Sequence, residues 1–498
     1  MYKNENWETV IGDLIIERHG TGLSRISGSI CTNSQQVSPG DIFAAIPGTR
    51  MNGNDFIPQA VSNGALTILH TKELNSYEER INYIRVCDIR AAVSRLHRCA
   101  NSAPDKDLKI FGFTGTNGKT TSAYLLRHLL NHSNIPCGLV STVEYDNGAE
   151  KFPPTHTTPD PQTLFPLLRS MKENNLRAAA MEFSSHALGQ HRVDGISVAG
   201  AVFTNLTGDH LDFHHDMDSY FEAKKHLFTD LLIPGGSAVI NIDDPYGRTL
   251  AKNLPHLRPD INIVTFGRSV DAVLKIINPS SHGDGCSFLL TDNKDFSQQL
   301  SLPLPGHHNI YNLAGVAALL YAEELPLASL TDAFKSGSFA VPGRLELLTS
   351  PSGAKFYVDY AHTADALTNV LSSLRPVCRG RLIVVFGAGG ERDKSKRPKM
   401  GRAAADNADI LIITSDNPRS EAPEAIISEI VSGIPAGSSY FVEADRRTAL
   451  QKAAKIALCG DMVVVAGKGH ENYQEINGIR YPFDDREILR GIFAHTEC

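Results

Sequence analysis

The residues best suited to chemistry lie in the string T-G-T-N-G-K-T-T, Thr114 to Thr121. Glycines among small polar residues let backbone amides close around an anion, and Gly115, Thr116, Asn117 and Gly118 supply such a run. Lys119 can offset the charge of β- and γ-phosphates from an exposed loop, while the hydroxyl of Thr120, next to Thr121, suits magnesium. The strict spelling G-x-x-x-x-G-K-[ST] places Phe113 where its first glycine belongs, which predicts a variant loop of different shape. A helix cap after a glycine turn is the competing reading.

Further candidates follow apolar runs. Glu182 stands after "AAAMEF" and His210 after "VAGAVFTNL", both positions where α/β sheets gather ligands, so both join Thr120 as candidate magnesium ligands. Either residue alone would be ordinary for a solvated loop; together they follow separate strand ends of one expected sheet. On composition, Lys224 and Lys225 read as an exposed helix face.

These residues need elements to hold them. Ile110 to Thr114 reads as a strand and Thr120 to Asn131 as an amphipathic helix, which is the strand-loop-helix setting of a phosphate cradle. From Lys109 onward apolar strands and helices alternate, so a largely parallel sheet covered by helices is expected. Beyond Val341-Pro342-Gly343, four apolar runs predict a second parallel sheet: "KFYVDY", "RLIVVFG", "DILIITSD" and "DMVVVAG". Their loops, Asp359 to His362, Gly387 to Asp393, Asp416 to Arg419 and Gly467 to Glu471, would share one rim. Before the phosphate loop, Asp41 to Ile46 reads as a strand and Phe56 to Asn63 as a helix, with "NSAPDKDLK" as a linker.

The 498-residue length suggests about three domains. We place them at 1–100, 101–341 and 342–498: a central parallel-sheet P-loop-type ATPase domain between a small N-terminal α/β domain and a C-terminal Rossmann-like one. A formal net charge of -7 gives no nucleic-acid footprint. No signal peptide or membrane-spanning apolar run is found, so a cytoplasmic protein is expected. The eight cysteines form no C-x-x-C, which argues for reduced and mostly buried thiols.

The loop and its companions resemble the Mur ligases and their folylpolyglutamate synthetase relatives, and the resemblance runs over nearly the whole chain. It implies an ATP- and Mg2+-dependent amide ligase of peptidoglycan synthesis, acting as a monomer on small molecules without nucleic acid or membrane insertion. It singles out Lys224 as a carbamylated lysine that serves a second magnesium. The N-terminal part resembles members that extend UDP-MurNAc-L-Ala-D-Glu, which assigns Thr32, Ser34, Thr49, Arg50 and Met51 to the UDP-linked substrate. Thr157, Thr158, Ser184, Gln190 and Arg192 are assigned to its muramoyl-dipeptide part. Asn33-Ser34-Gln35 departs from the usual D-S-R, and Gly208 stands where relatives often carry Arg or Gln.

The same resemblance gives Asn312 to adenine, Arg344 to the phosphates, and Asp359 and His362 to the neighbourhood of the nucleotide. Arg392, Asp416, Asn417, Pro418, Arg419, Gly467 and Glu471 match an amino-acid pocket in which D-N-P-R is the form associated with meso-diaminopimelate. Physically, a planar guanidinium suits the second carboxylate that lysine lacks, and Glu471 suits an ammonium. A folylpolyglutamate synthetase lacks the uridine-type first domain, a GTPase would need N-K-x-D, and a non-catalytic scaffold need not keep Lys119, Thr120, Glu182, His210 and Lys224.

Overall fold

The computed structural model describes residues 7–20, 28–48, 51–209, 211–283, 285–325, 327, 330, 332–334 and 339–495. Three α/β units follow one another, each built on its own sheet. The first sheet runs in the order Ile15–His19, Asn82–Val86, Thr67–His70, Ile42–Ala44, Ile30–Cys31, parallel except at the Ile15–His19 edge. Its helix Ile89–Ala100 starts at Asp88, whose carboxylate accepts hydrogen bonds from the amides of Arg90 and Ala91 and so satisfies donors that a helix start leaves free. This helix docks on the next unit, where Ser94 Oγ donates to the carbonyls of Arg192 and Asp194 at 3.0 and 2.9 Å. The expected linker is no loose tether. Asp105 within it is buried, pairs with Arg98 and accepts the Ser197 amide.

Among the described residues the central sheet has eleven strands. From Leu274–His282 through Asn262–Gly267, Leu232–Asn241, Val198–Phe203, Lys109–Thr114 and Ala178–Glu182 to Cys137–Val140 the pairing is parallel. Lys109–Thr114 lies mid-sheet with Phe111 and Phe113 packed into one apolar cluster and Ile110 into another. Burial on both faces explains its unbroken apolar run. Strands added after it go to both sides, which opens a crevice at its carboxyl end. Both margins are antiparallel, by Gly285–Thr291 and Ser297–Leu302 on one side and Tyr145–Asp146 and Lys151–Phe152 on the other. The parallel expectation therefore covers the middle of the sheet and not its edges.

The third sheet places Lys355–Asp359, Met462–Ala466, Leu382–Phe386 and Ile410–Ile413 side by side and parallel, between the edge strands Glu346–Thr349 and Tyr440–Val442. A hairpin, Tyr473–Ile476 with Ile479–Pro482, stands beside its rim. The thiols are less buried than expected: of the seven described, all free, Cys137 and Cys286 are buried, whereas Cys87 and Cys459 are exposed. No helix among the described residues is long and apolar enough to cross a membrane.

Candidate active site

The phosphate loop takes its shape from its neighbours. Thr204 Oγ1 and Asn205 Nδ2 donate to the Asn117 carbonyl at 2.6 and 3.1 Å. Asn205 also accepts the amides of Thr116 and Asn117, while the amides that open the helix Lys119–His132 have no intrahelical partners, as at any helix start. Gly115 and Gly118 have φ of 146° and 90°, and a Cβ on either would collide with Thr204 or with Asn312. Phe113 belongs to the buried strand that ends at Thr114, so the curve begins at Gly115, two residues beyond the place the strict spelling demands.

Lys119 is not on an exposed loop. It is partly buried in a cleft of about 610 Å³ and folds back to donate to the carbonyls of Gly115 and Thr116 at 2.9 and 2.8 Å. Burial lowers its pKa, against the pull of Glu182. Thr120 and Thr121 begin the helix beside it, and Asn312 faces Gly118 from the helix His307–Ala322. Thr157 and Ser184 line the same cleft. Glu182 there is fully buried and accepts from the Thr142 amide at 2.8 Å.

Lys224 overturns the composition reading of an exposed face: it is 1% exposed, while Lys225 pairs with Glu222 at 2.9 Å on the outside of the same helix. Lys224 Nζ donates to the Gly115 carbonyl at 2.9 Å and lies 4.5 Å from the Tyr220 ring centre. Burial first, then the charge of Lys119, pushes its pKa well below the usual lysine range.

The third unit closes the cleft. Arg344 Nη2 donates to Thr120 Oγ1 at 3.3 Å, and Asp365 accepts from Asn117 and Thr207 at 3.2 and 3.1 Å. Asp359 is buried, with its carboxylate accepting the Leu345 and Ala361 amides, and burial raises its pKa. His362 Nδ1 donates to the Tyr360 carbonyl at 2.8 Å, and burial lowers its pKa.

A second constellation occupies the rim of the third sheet, outside that cleft. Lys468, which the sequence reading did not single out, is fully buried, with Nζ 3.1 Å from Asn417 Oδ1, 3.2 Å from Glu471 Oε2 and 3.7 Å from Asp416 Oδ1. Glu471 also accepts from Asn417 Nδ2, and burial followed by the nearby Asp416 raises its pKa. A Cβ on Gly467 would come 2.8 Å from Asp416 Oδ2. Arg419, at φ 53°, donates to the Gly390 carbonyl at 2.8 Å. Gly390 packs against the Pro418 carbonyl, and Gly389 lies against both Arg419 and the exposed Arg392. Beneath these loops Arg446 and Asp485, both fully buried, pair at 2.7 Å, and Arg446 also donates to the carbonyls of Ser415 and Ala466.

Other predicted residues stay apart from the cleft. Thr158 Oγ1 donates to the Glu182 carbonyl at 2.8 Å, behind the strand end. Gln190 accepts from Arg192, which also approaches Asp160 at 3.2 Å. Ser34 is buried in the first unit and donates to Gln59 Oε1 at 2.7 Å, whereas Thr32 and Met51 are exposed. Thr49, Arg50 and His210 lie outside the described residues.

A phosphate loop facing a buried carboxylate, under an arginine supplied by a second α/β unit, defines a nucleotide-dependent enzyme that works between units. Three family profiles match in succession: "Mur ligase family, catalytic domain" over 28–103, "Mur ligase middle domain" over 113–320 and "Mur ligase, glutamate ligase domain" over 343–469. The curated protein "UDP-N-acetylmuramoyl-L-alanyl-D-glutamate--2,6-diaminopimelate ligase" of Gloeobacter violaceus is 42% identical, covering 93% of this chain and 92% of its own. Its namesake from Aquifex aeolicus is 40% identical over 96% and 95%. A solved structure of a ligase of that name superposes with a TM-score of 0.67 at 34% identity, covering 94% and 95%. The Thermotoga maritima MurF ligase in complex with ADP has the same fold, with a TM-score of 0.60 at 19% identity over 94% and 98%. The chain belongs to the Mur ligase family.

Proposed function

We propose that this chain is a cytoplasmic, ATP-dependent amide ligase that joins meso-diaminopimelate to the D-glutamyl γ-carboxylate of UDP-MurNAc-L-Ala-D-Glu, acting as a monomer. The carrying observation is the cleft that sets Lys119 and Thr120 opposite Glu182 and Lys224 and under Arg344. The names of the relatives supply the substrates. We assign 1–100 to the UDP-linked substrate, 101–341 to ATP and 342–498 to the amino acid.

In this reading ATP lies with its phosphates at the amides that open the helix after Gly118, and Lys119 leaves the loop carbonyls to meet the γ-phosphate. Magnesium fits the donors: Thr120 offers a hydroxyl oxygen, and Glu182 offers a fully buried carboxylate whose hydrogen bonds come from Thr142. His210 completes the proposed set. Lys224 is a poor ligand as an amine, yet its burial disfavours the ammonium form and leaves an amine able to take up carbon dioxide as a carbamate. The cation supplies charge neutralisation between two anions that must meet.

The γ-carboxylate oxygen attacks the γ-phosphorus, the bond to the β-γ bridging oxygen breaks, and ADP leaves. Lys119 and Arg344 hold the charge that moves onto the transferred group. The neutral diaminopimelate amine then attacks the acyl carbon, the phosphate departs with the oxygen that had joined it to carbon, and the nitrogen gives up one proton to solvent. Arg419 and Arg392 face the second carboxylate, with Glu471 and Asn417 on the ammonium. Closure of the third unit on the second brings amine and acyl phosphate into line.

Label transfer tests this directly. With both γ-carboxylate oxygens replaced by 18O, one label should leave in the phosphate and one should remain in the amide. Phosphate free of label would exclude the acyl phosphate.

A further inference from the structure

The loop that carries Gln190 and Arg192 also carries His191 and Asp194, which the mechanism proposed above does not use. His191 Nδ1 lies 3.0 Å from Asp194 Oδ2, and His226 Nε2 lies 3.0 Å from Asp194 Oδ1. One donor atom from each of the three falls within 4.8 Å of the others. We propose that His191 Nδ1, His226 Nε2 and the Asp194 carboxylate form a binding site for a divalent transition metal of the zinc class, separate from the magnesium positions of the cleft.

Donor chemistry selects the metal. Two imidazoles and a carboxylate suit zinc, whereas magnesium prefers oxygen throughout. Zinc-ligand bonds of about 2.0–2.1 Å set tetrahedral ligand atoms roughly 3.3 Å apart, so the two 3.0 Å contacts, one to each Asp194 oxygen, need to open by a few tenths of an ångström, while the two imidazole nitrogens, within 4.8 Å of each other, close on the ion by side-chain rotation.

The second ring nitrogens strengthen the case. His226 Nδ1 is 3.0 Å from Asp230 Oδ2, and His191 Nε2 is 3.5 Å from Asp88 Oδ2. A metal-bound imidazole characteristically gives its far N–H to a carboxylate, which fixes the tautomer and the ring plane. The side chains of His191 and His226 keep 38% and 20% of their exposure, which leaves room for water as a fourth ligand.

The position gives the ion a task. Asp88 caps the helix by which the first unit docks, and His191 stands between Gln190 and Arg192 in the chain. A bound ion would tie the two units together at the loop proposed to read the muramoyl-dipeptide. An ion-pair chain from Asp88 through His191, Asp194 and His226 to Asp230 uses the same contacts without metal, and the experiment separates the two. The site itself does not rest on the ligase assignment.

The full-length protein, stripped with chelator and with its thiols blocked, should be titrated with Zn2+ alone in competition with a chromophoric chelator. One saturable equivalent is expected, with affinity falling at least about 100-fold in His226→Ala and in His191→Ala. Asp230→Asn, which keeps all three ligands, should retain the stoichiometry and bind about 10- to 100-fold more weakly. Co2+ should give visible bands without thiolate charge transfer. Absence of a saturable equivalent in the wild-type protein, or an equivalent unchanged in both histidine variants, would overturn the site and leave the ion-pair chain.

Discussion

The phosphate cleft and the rim of the third sheet both sit at the carboxyl ends of parallel strands, but they are built differently. The cleft owes its shape to backbone: Gly115 and Gly118 curve at positive φ against Thr204 and Asn312, and Asn205 takes two loop amides. Among the described residues Lys119 bonds only loop carbonyls there and can turn to a ligand. The rim owes its shape to paired charges, with Arg446 and Asp485 beneath it, Lys468 among Asp416, Asn417 and Glu471, and Arg419 on the Gly390 carbonyl. A ligand in the cleft gains contacts that the protein has left weakly used. A zwitterion at the rim must exchange partners with an internal network, so it gains only the difference, and discrimination comes from the group that fits the exchange.

The largest effect should appear under the rim. Arg446→Met leaves Asp485 buried without its partner and should cost about 3–5 kcal/mol of stability by denaturant melting. A loss below about 1 kcal/mol would mean that the rim does not depend on its buried charge. Lys119→Ala comes next, with phosphate release and product formation falling by at least about 10²–10³-fold while the melting curve stays near wild type. Near-normal turnover would remove the cleft from the nucleotide's path.

Lys224→Ala should be similarly inactive and partly rescued by a short carboxylic acid, which would sharpen the role of a carbamate in the cleft. Arg419→Ala should lower kcat/KM for diaminopimelate by about 1.5–3 kcal/mol, the range for a hydrogen bond to a charged group, and leave lysine little changed. Equal losses for the two amino acids would make Arg419 a support for the Gly390 loop. The smallest effect belongs to Lys225→Ala, whose exposed pair with Glu222 is worth about 0.2–1 kcal/mol.

The comparison also explains what could be read before the structure. Sites shaped by backbone leave local marks, and T-G-T-N-G-K-T-T after an apolar run indicated both the strand and the helix around it. The parallel strands bounding each site were legible because they are buried on both faces. The antiparallel margin from Leu274 to Leu302 was not read, although Gly285–Thr291 alternates buried and half-exposed residues, because the adjacent Leu289 and Leu290 hide that alternation in the sequence. Lys468 passed unnoticed because a lysine is seldom fully buried. Arg446 with Asp485 and Asn117 with Asp365 join residues far apart in the chain, which no local pattern reports. The burial that separates Lys224 from Lys225 depends on the Gly115 carbonyl and the Tyr220 ring meeting one side of a short helix.

The most direct measurement of the central claim is the mass of the product made from ATP, UDP-MurNAc-L-Ala-D-Glu and an equimolar mixture of meso-diaminopimelate and lysine. The account predicts a UDP-muramoyl-tripeptide carrying diaminopimelate, with one ADP and one phosphate released for each amide formed. A tripeptide carrying mainly lysine, or phosphate released without any amide, would contradict it.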